Sequence, residues 1–338
     1  MLSVRVLTRA IIKPSTPTPP QLKFLELSFL DQCLPNYSIN FILFYSAGHS
    51  NGIPEISHHL RSPHSDVLTR FYPLAGRLKK HHLSSDKIYV ECNDEGVEFT
   101  TARVERDLDS FLADPPINEL GRLFPAGGSS FSSYDEPLLS VQFNEFTPGG
   151  GWALGVSMSH KLADGTSYAE FLKAWADTAR GRGVHARPKF ESAALFPPRD
   201  VAARPTRVEA VIALLWRCAI RAAGGVARGR RLEAAVPVNL RPRLRPPLTE
   251  DCFGNGVERY LFTSWCRFPF YETDFGWGGP AWVAVPPYNL KNWFVLMNAR
   301  GGDGFEVWAF LTEAEMEGFA KDPELLAFTS APGSVSMH

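Results

Sequence analysis

The chain has 338 residues, 44% of them hydrophobic and 21% charged, with a formal net charge of −1. That length exceeds one ordinary core and predicts two domains. So balanced a charge offers no handle to nucleic acid or an anionic membrane, and no apolar run reaches the about 18 residues a membrane helix needs.

Met1 to Arg9 alternates like a strand and lacks the long apolar segment and cleavage site of a signal peptide. Pro14 to Pro20 is proline-rich and predicts a loop. Asn40 to Tyr45 is dense in β-formers and predicts a buried strand. A short helical stretch is then broken by Tyr72-Pro73-Leu74-Ala75-Gly76-Arg77. Lys87 to Cys92 and Val97 to Ala102 read as two strands joined by the turn Asn93-Asp94-Glu95-Gly96.

Leu138 to Phe146 and Trp152 to His160 form the clearest hairpin, with Pro148-Gly149-Gly150-Gly151 at its tip. The period of two puts Trp152, Leu154, Val156, Met158 and His160 on one face. Over Thr166 to Arg180 the pattern turns helical, with Phe171, Leu172, Trp175 and Ala179 as its apolar stripe and Gly181 as its stop.

Pro188 to Pro205 lacks periodicity, so we divide the chain into a domain 1–187, a linker 188–205 and a domain 206–338. Thr206 and Glu209 have capping-box spacing before a helix striped by Val208, Ile212, Leu215, Trp216 and Ala219. Strands are predicted at Leu232 to Leu240, Arg259 to Cys266, Trp282 to Val285, Trp293 to Met297 and Glu306 to Phe310. Thr312 then caps a last helix with an acidic first turn. Strands and helices mix without strict βαβ alternation, so the class is α/β or α+β, with no glycine-rich nucleotide loop.

Cys33, Cys92, Cys218, Cys252 and Cys266 are odd in number and form no CxxC pair. Neither zinc nor a disulfide framework is expected, and a reducing, cytoplasmic setting fits. The doublets His58-His59 and His81-His82 stand in polar, turn-rich sequence without a carboxylate or cysteine at ligand spacing, so no metal site is expected.

The segment richest in chemistry is Ser159-His160-Lys161-Leu162-Ala163-Asp164-Gly165. A histidine at a strand end, before a glycine turn and a helix start, is held with its ring edge free and close to a dipole that favours negative charge. A neutral imidazole near pKa about 6.5 can take a proton from a hydroxyl or amine. Asp164 either completes a His–Asp dyad or shapes the turn, and a turn that points it at the backbone favours the second role. Gly165 lets the chain pass closely by the site.

Downstream, Asp274-Phe275-Gly276-Trp277-Gly278 is a loop of two glycines and two aromatic anchors. A buried carboxylate there requires a cation, and Arg241 and Arg243 are the candidates; direct catalysis by Asp274 is the other reading. Thr263 and Trp265, two apart on a strand, share a face and each carries a donor, so they suit either an oxyanion or a packed core. No GxSxG elbow is present, which argues against a serine hydrolase.

Taken in order, these two segments resemble the BAHD acyltransferases, plant enzymes that move an acyl group from a coenzyme A thioester to an alcohol or amine. Leu27-Ser28-Phe29-Leu30-Asp31, Phe44-Tyr45, Tyr72 to Arg77, Pro205-Thr206-Arg207-Val208-Glu209-Ala210, Val238-Asn239-Leu240-Arg241, Phe253-Gly254-Asn255 and Thr263-Ser264-Trp265-Cys266-Arg267 look like further landmarks of that family. The region Tyr168 to Arg180 looks closest to its vinorine synthase-like acetyltransferase branch.

The resemblance implies two chloramphenicol-acetyltransferase-type domains with mixed sheets and a channel between them. It implies acyl-CoA and a small-molecule alcohol or amine as partners, no further cofactor and a monomer. It makes His160 the base, Asp164, Gly165, Gly276 and an Asp274–Arg241 pair supports of the site, and Thr263 and Trp265 the oxyanion donors.

The chain departs from the family between Pro198 and Pro205 and between Asn255 and Arg259, and lacks on the order of a hundred residues of a full two-domain member. The second domain is therefore expected to be incomplete. A catalytically impaired, BAHD-like binding protein is the alternative this shortening raises.

Overall fold

The computed structural model describes residues 1–28, 31, 36–46, 53–81, 84–125, 134–183, 186, 188–190, 211–212, 214–215, 218, 231–235, 257–266, 268–287, 291–300 and 304–329. They fall into two compact units, Met1–Phe196 with Phe268–Pro287, and Pro197–Arg267 with Tyr288–His338. The sequence assigned everything after residue 205 to one domain, but the stretch around Asp274 belongs to the first unit. Its strand pairing explains why, as the edge of the large sheet shows.

The first unit holds β1 (Val4–Ile12), β2 (Phe24–Glu26), β3 (Ser38–Tyr45), α1 (Ile53–Arg70), β4 (Arg77–His81), β5 (Ser84–Glu91), β6 (Val97–Val104), α2 (Leu108–Ala113), β7 (Leu139–Phe146), β8 (Trp152–Ser159) and α3 (Gly165–Ala179). The second unit contributes β9 (Arg231–Ala235) and β10 (Val257–Ser264), and the chain returns to the first for β11 (Trp282–Ala284). The large sheet has the order β1-β6-β7-β8-β3-β11, and β2-β5-β4 form a small one. β6 and β7 run parallel, and the other neighbours in the large sheet antiparallel. β11 pairs Trp282, Val283 and Ala284 with Phe44, Leu43 and Ile42, which draws the preceding loop onto this unit.

The predicted hairpin forms, with Leu139 opposite Met158 and Glu145 opposite Trp152. The turn at Asn93–Gly96 does not close a hairpin. β5 pairs with β2 and β4, whereas β6 pairs with β1 and β7. The chain changes sheets there because the turn is held from outside: Thr18 N–H and Oγ1 donate to the Asp94 carboxylate at 2.8 and 2.6 Å, and Gly96 N–H donates to Ala75 O at 2.9 Å.

α1 is far longer than the short helix read from sequence, and it carries His58 and His59 as helical rather than turn residues. Ser57, His58, His59 and Pro63 obscure its pattern, but Ile56, Leu60, Val67 and Leu68 repeat at helical spacing and are buried. α3 buries Tyr168, Phe171, Leu172 and Trp175 completely, each worth roughly 1.5–3 kcal/mol. It packs on α1 through Trp175, whose Nε1–H donates to Leu60 O at 2.9 Å, and on the sheet through Tyr168, whose hydroxyl donates to Val156 O at 2.7 Å. On the sheet's other face Phe44 packs against Phe111 and Trp282 at ring distances of 5.4 and 5.3 Å.

In the second unit β12 (Trp293–Asn298) and β13 (Phe305–Phe310) complete a four-stranded sheet, β13-β12-β10-β9, in which β10 lies parallel to both its neighbours. Helical residues Ile212, Leu215 and Cys218 join Tyr260, Phe262, Phe294, Leu296 and Phe319 in its core. α4 (Glu313–Ala320) opens with the Thr312–Glu315 capping box, and α5 (Pro323–Leu326) follows it. The predicted caps Thr206 and Glu209 lie outside the described residues.

Candidate active site

His160 is the first residue past β8, on the turn into α3. Its N–H donates to Tyr37 O at 2.8 Å, which extends the β3–β8 pairing by one step. The Tyr37 ring stands edge-on to the imidazole, with centroids 5.0 Å apart and planes at 62°. Nδ1 is buried and has no hydrogen-bond partner in any other described residue. Burial holds the imidazole pKa below its ordinary value, against an opposing pull from its own backbone and from the carboxylates of Asp164 and Asp31. At neutral pH the ring is therefore uncharged and able to accept a proton.

Asp164 is the N-cap of α3. Its Oδ1 accepts from Ser167 N–H at 3.0 Å and Ser167 Oγ–H at 2.9 Å. A carboxylate in that position satisfies an orphan donor of the first turn, and it makes no hydrogen bond to His160. Gly165 is constrained by a neighbour: a Cβ there would stand 2.1 Å from the Phe268 ring. Phe268 packs on Phe270 and Phe270 on Phe41, so the second segment's approach is laid directly against the start of α3.

Asp274 binds at the other end of α3. Its Oδ2 accepts from Arg180 Nη1 at 2.8 Å, and its Oδ1 accepts from the N–H groups of Gly276 and Gly278 at 2.7 and 2.8 Å. Burial pushes its pKa up, but the two N–H bonds and Arg180 outweigh that and hold the carboxyl below the usual range. Both glycines have positive φ, 113° and 89°, where a side chain would be strained. Phe275 is fully buried against Tyr45, Trp152 and Trp175, and Trp277 lies edge-on to His59 at 4.8 Å.

The expected partners of Asp274, Arg241 and Arg243, lie outside the described residues, and among the described residues the arginine that meets it is Arg180. Sequence spacing missed this, although Arg180 closes the helix predicted from Thr166. Since α3 rises about 1.5 Å per residue over its 15 residues, the Asp274 pair stands roughly 20 Å from His160. Direct contact between Asp274 and a group reacting at His160 is excluded by that span.

Thr263 and Trp265 belong to the second unit. Thr263 is half-buried on β10 opposite Val295, and Trp265, just past the strand, is buried, donates N–H to Leu296 O at 2.7 Å and lies edge-on to Trp293.

A family model described as Transferase family matches residues 2–204, 199–258 and 255–326. Its three matched segments meet at the two places where the sequence lacks family stretches. A limonoid 21-O-acetyltransferase of Citrus sinensis is 31% identical over 436 aligned positions, covering 99% of this chain and 100% of the relative. As the chain has 338 residues, at least 98 of those positions have no counterpart in it.

Vinorine synthase of Rauvolfia serpentina is 33% identical over 90% of this chain and 93% of its own. Stemmadenine O-acetyltransferase of Catharanthus roseus is 31% identical over 94% and 96%. The crystal structure of vinorine synthase superposes with a TM-score of 0.81 at 29% identity, covering 97% of this chain and 99% of that one. F. sporotrichioides TRI101, solved with coenzyme A and T-2, shares the fold at a TM-score of 0.64 and 16% identity, over 90% and 98%.

Proposed function

The chain belongs to the Transferase family, the BAHD acyltransferases, and on that footing we propose that it carries an acetyl group from acetyl-CoA to a hydroxyl of a plant specialised metabolite. The family makes it an acyl-CoA-dependent acyltransferase. The choice of acetyl and of oxygen rests on relatives whose names specify O-acetyl transfer. Those enzyme names give no support to the impaired binding protein that the shortening raises. We read it as a cytoplasmic monomer, in keeping with the buried, non-disulfide thiols of Cys92, Cys218 and Cys266.

The observation that carries the reading is His160, uncharged and without a carboxylate bonded to it, at the strand-to-helix turn. In the reaction its Nε2 takes the acceptor hydroxyl proton as that oxygen attacks the thioester carbonyl. The carbonyl oxygen becomes an oxyanion, to which we assign the Thr263 hydroxyl and the Trp265 indole N–H as donors. The intermediate collapses, the carbon–sulfur bond breaks, and His160 returns its proton to the departing CoA thiolate. No acyl group rests on the protein, and both substrates are held together.

The test is CoA release by the purified chain with acetyl-CoA, with and without a panel of alcohols, followed by intact-protein mass spectrometry. Release that requires an alcohol, with no mass gain of one acetyl, supports the ternary mechanism. A trapped acetyl-protein, or release independent of any acceptor, overturns it.

A further inference from the structure

We propose that His64 is an acid-sensitive latch between α1 and α3: its ring packs there only uncharged, so a proton on it parts the two helices. The inference is independent of the reading of His160 as a base.

His64 lies on α1 and is fully buried. The Trp175 ring of α3 stacks on its imidazole, with centroids 4.4 Å apart and planes at 29°. Phe171 of α3 and Phe99 of β6 close around it at 5.9 and 6.4 Å. A neutral imidazole carries one donor and one acceptor nitrogen. Both nitrogens of His64 are buried without a hydrogen-bond partner among the described residues. Burying such groups unpaired opposes folding, and burying an unpaired charge opposes it far more.

The charged and titratable groups of the surrounding elements are engaged elsewhere or exposed. On α1, Arg61 lies over the Phe99 ring at 5.7 Å and is a cation rather than a counter-charge. His59 meets Phe275 O, and His58, Asp66 and Arg70 are exposed. On β6, Glu98 faces Arg9 and Arg103 pairs with Glu145. On α3, Asp177 binds Arg180 and Arg182, the Tyr168 hydroxyl donates to Val156 O, and Glu170 and Lys173 are exposed. Burial alone pushes the His64 pKa down, to about 3, with no charged group contributing.

A ring released from this packing titrates near the ordinary value of about 6.5. The folded ring is neutral, whereas the released ring binds a proton below that value. Stability is therefore full above about 6.5. It falls about tenfold in the folding constant for each pH unit below, down to about 3. Opening undoes the Trp175 Nε1–H bond to Leu60 O and frees Trp175 from Phe275. It thereby loosens the helix that Asp164 caps at one end and that holds Asp274 through Arg180 at the other.

The test is urea unfolding of the parent and of His64→Leu between about pH 7 and 4.5. Carboxylates common to both cancel in the comparison. The inference expects the variant's advantage in folding constant to grow by roughly a hundredfold across that range. Hydrogen exchange, corrected for its intrinsic pH dependence, should show α1 and α3 of the parent losing protection in acid before β6 and β7. NMR of the folded parent should find His64 untitrated down to about pH 4.5, and this decides the matter if the variant fails to fold. An advantage that stays constant with pH would overturn the inference. So would a His64 titration near about 6.5 in the folded parent, or protection lost from helices and sheet together.

Discussion

In the proposed reaction His160 carries the chemistry because its surroundings keep it uncharged. Burial is the main influence on its pKa and acts downward. The base works only when deprotonated, so activity must persist as pH falls until the lowered pKa is crossed. We predict that kcat/KM stays flat from neutral pH to below about 6.5, the value at which an exposed imidazole would be half protonated. A pH–rate profile checks it, and a midpoint at or above that value would show that the ring is solvated in the working enzyme. Asp164 contributes to this profile only as a nearby charge, since its hydrogen bonds are spent on the first turn of α3.

At the scale of elements, α3 separates two duties. Its N-terminal end, with Asp164 and Gly165, frames His160, and its C-terminal end, with Arg180, holds Asp274. We predict that Asp274→Asn destabilises the first unit by about 1–3 kcal/mol, the worth of charged hydrogen bonds at a partly exposed site, while the kcat of folded protein falls little. Because its folded pKa is depressed, this stabilisation is complete above the unfolded value of about 3.9 and fades as pH falls through the folded one. Thermal melts and active-site-normalised turnover decide it: full stability with abolished turnover would restore a direct catalytic role. Arg180→Ala should reproduce the same loss.

Much of this layer was legible in the sequence. The hairpin β7–β8, the stripe of α3 and the cap at Thr312 each follow from a local period or a local bond. What was hidden is non-local. The pairing of β11 with β3 pulls Asp274 into the first unit, and nothing near residue 274 announces the strand it will join. That the Asn93–Gly96 turn joins strands of two different sheets is hidden for the same reason, since Thr18 and Ala75 determine its path. α1 was read too short because its histidines and Pro63 mask four buried residues spaced for a helix.

At the scale of the molecule, the shortening is concentrated. Both breaks in the family match, near residues 199–204 and 255–258, fall in the second unit. Removing family segments from one unit removes cover from its apolar core and leaves the other's intact. We therefore predict that the second unit unfolds first on heating, giving two transitions in calorimetry, the lower accompanied by binding of a hydrophobic dye. One cooperative transition for the whole chain would show that the second unit has closed over the gaps.

The measurement that bears most directly on the account is the acetyl-CoA-dependent acetylation rate of the purified chain against that of His160→Ala, under identical saturating conditions. The account predicts a loss of about 10²–10⁴ in kcat, the usual worth of a general base, with acetyl-CoA binding retained. A variant that keeps its rate within about threefold of the parent would contradict it, because proton transfer at this turn would then not be what the fold is arranged to perform.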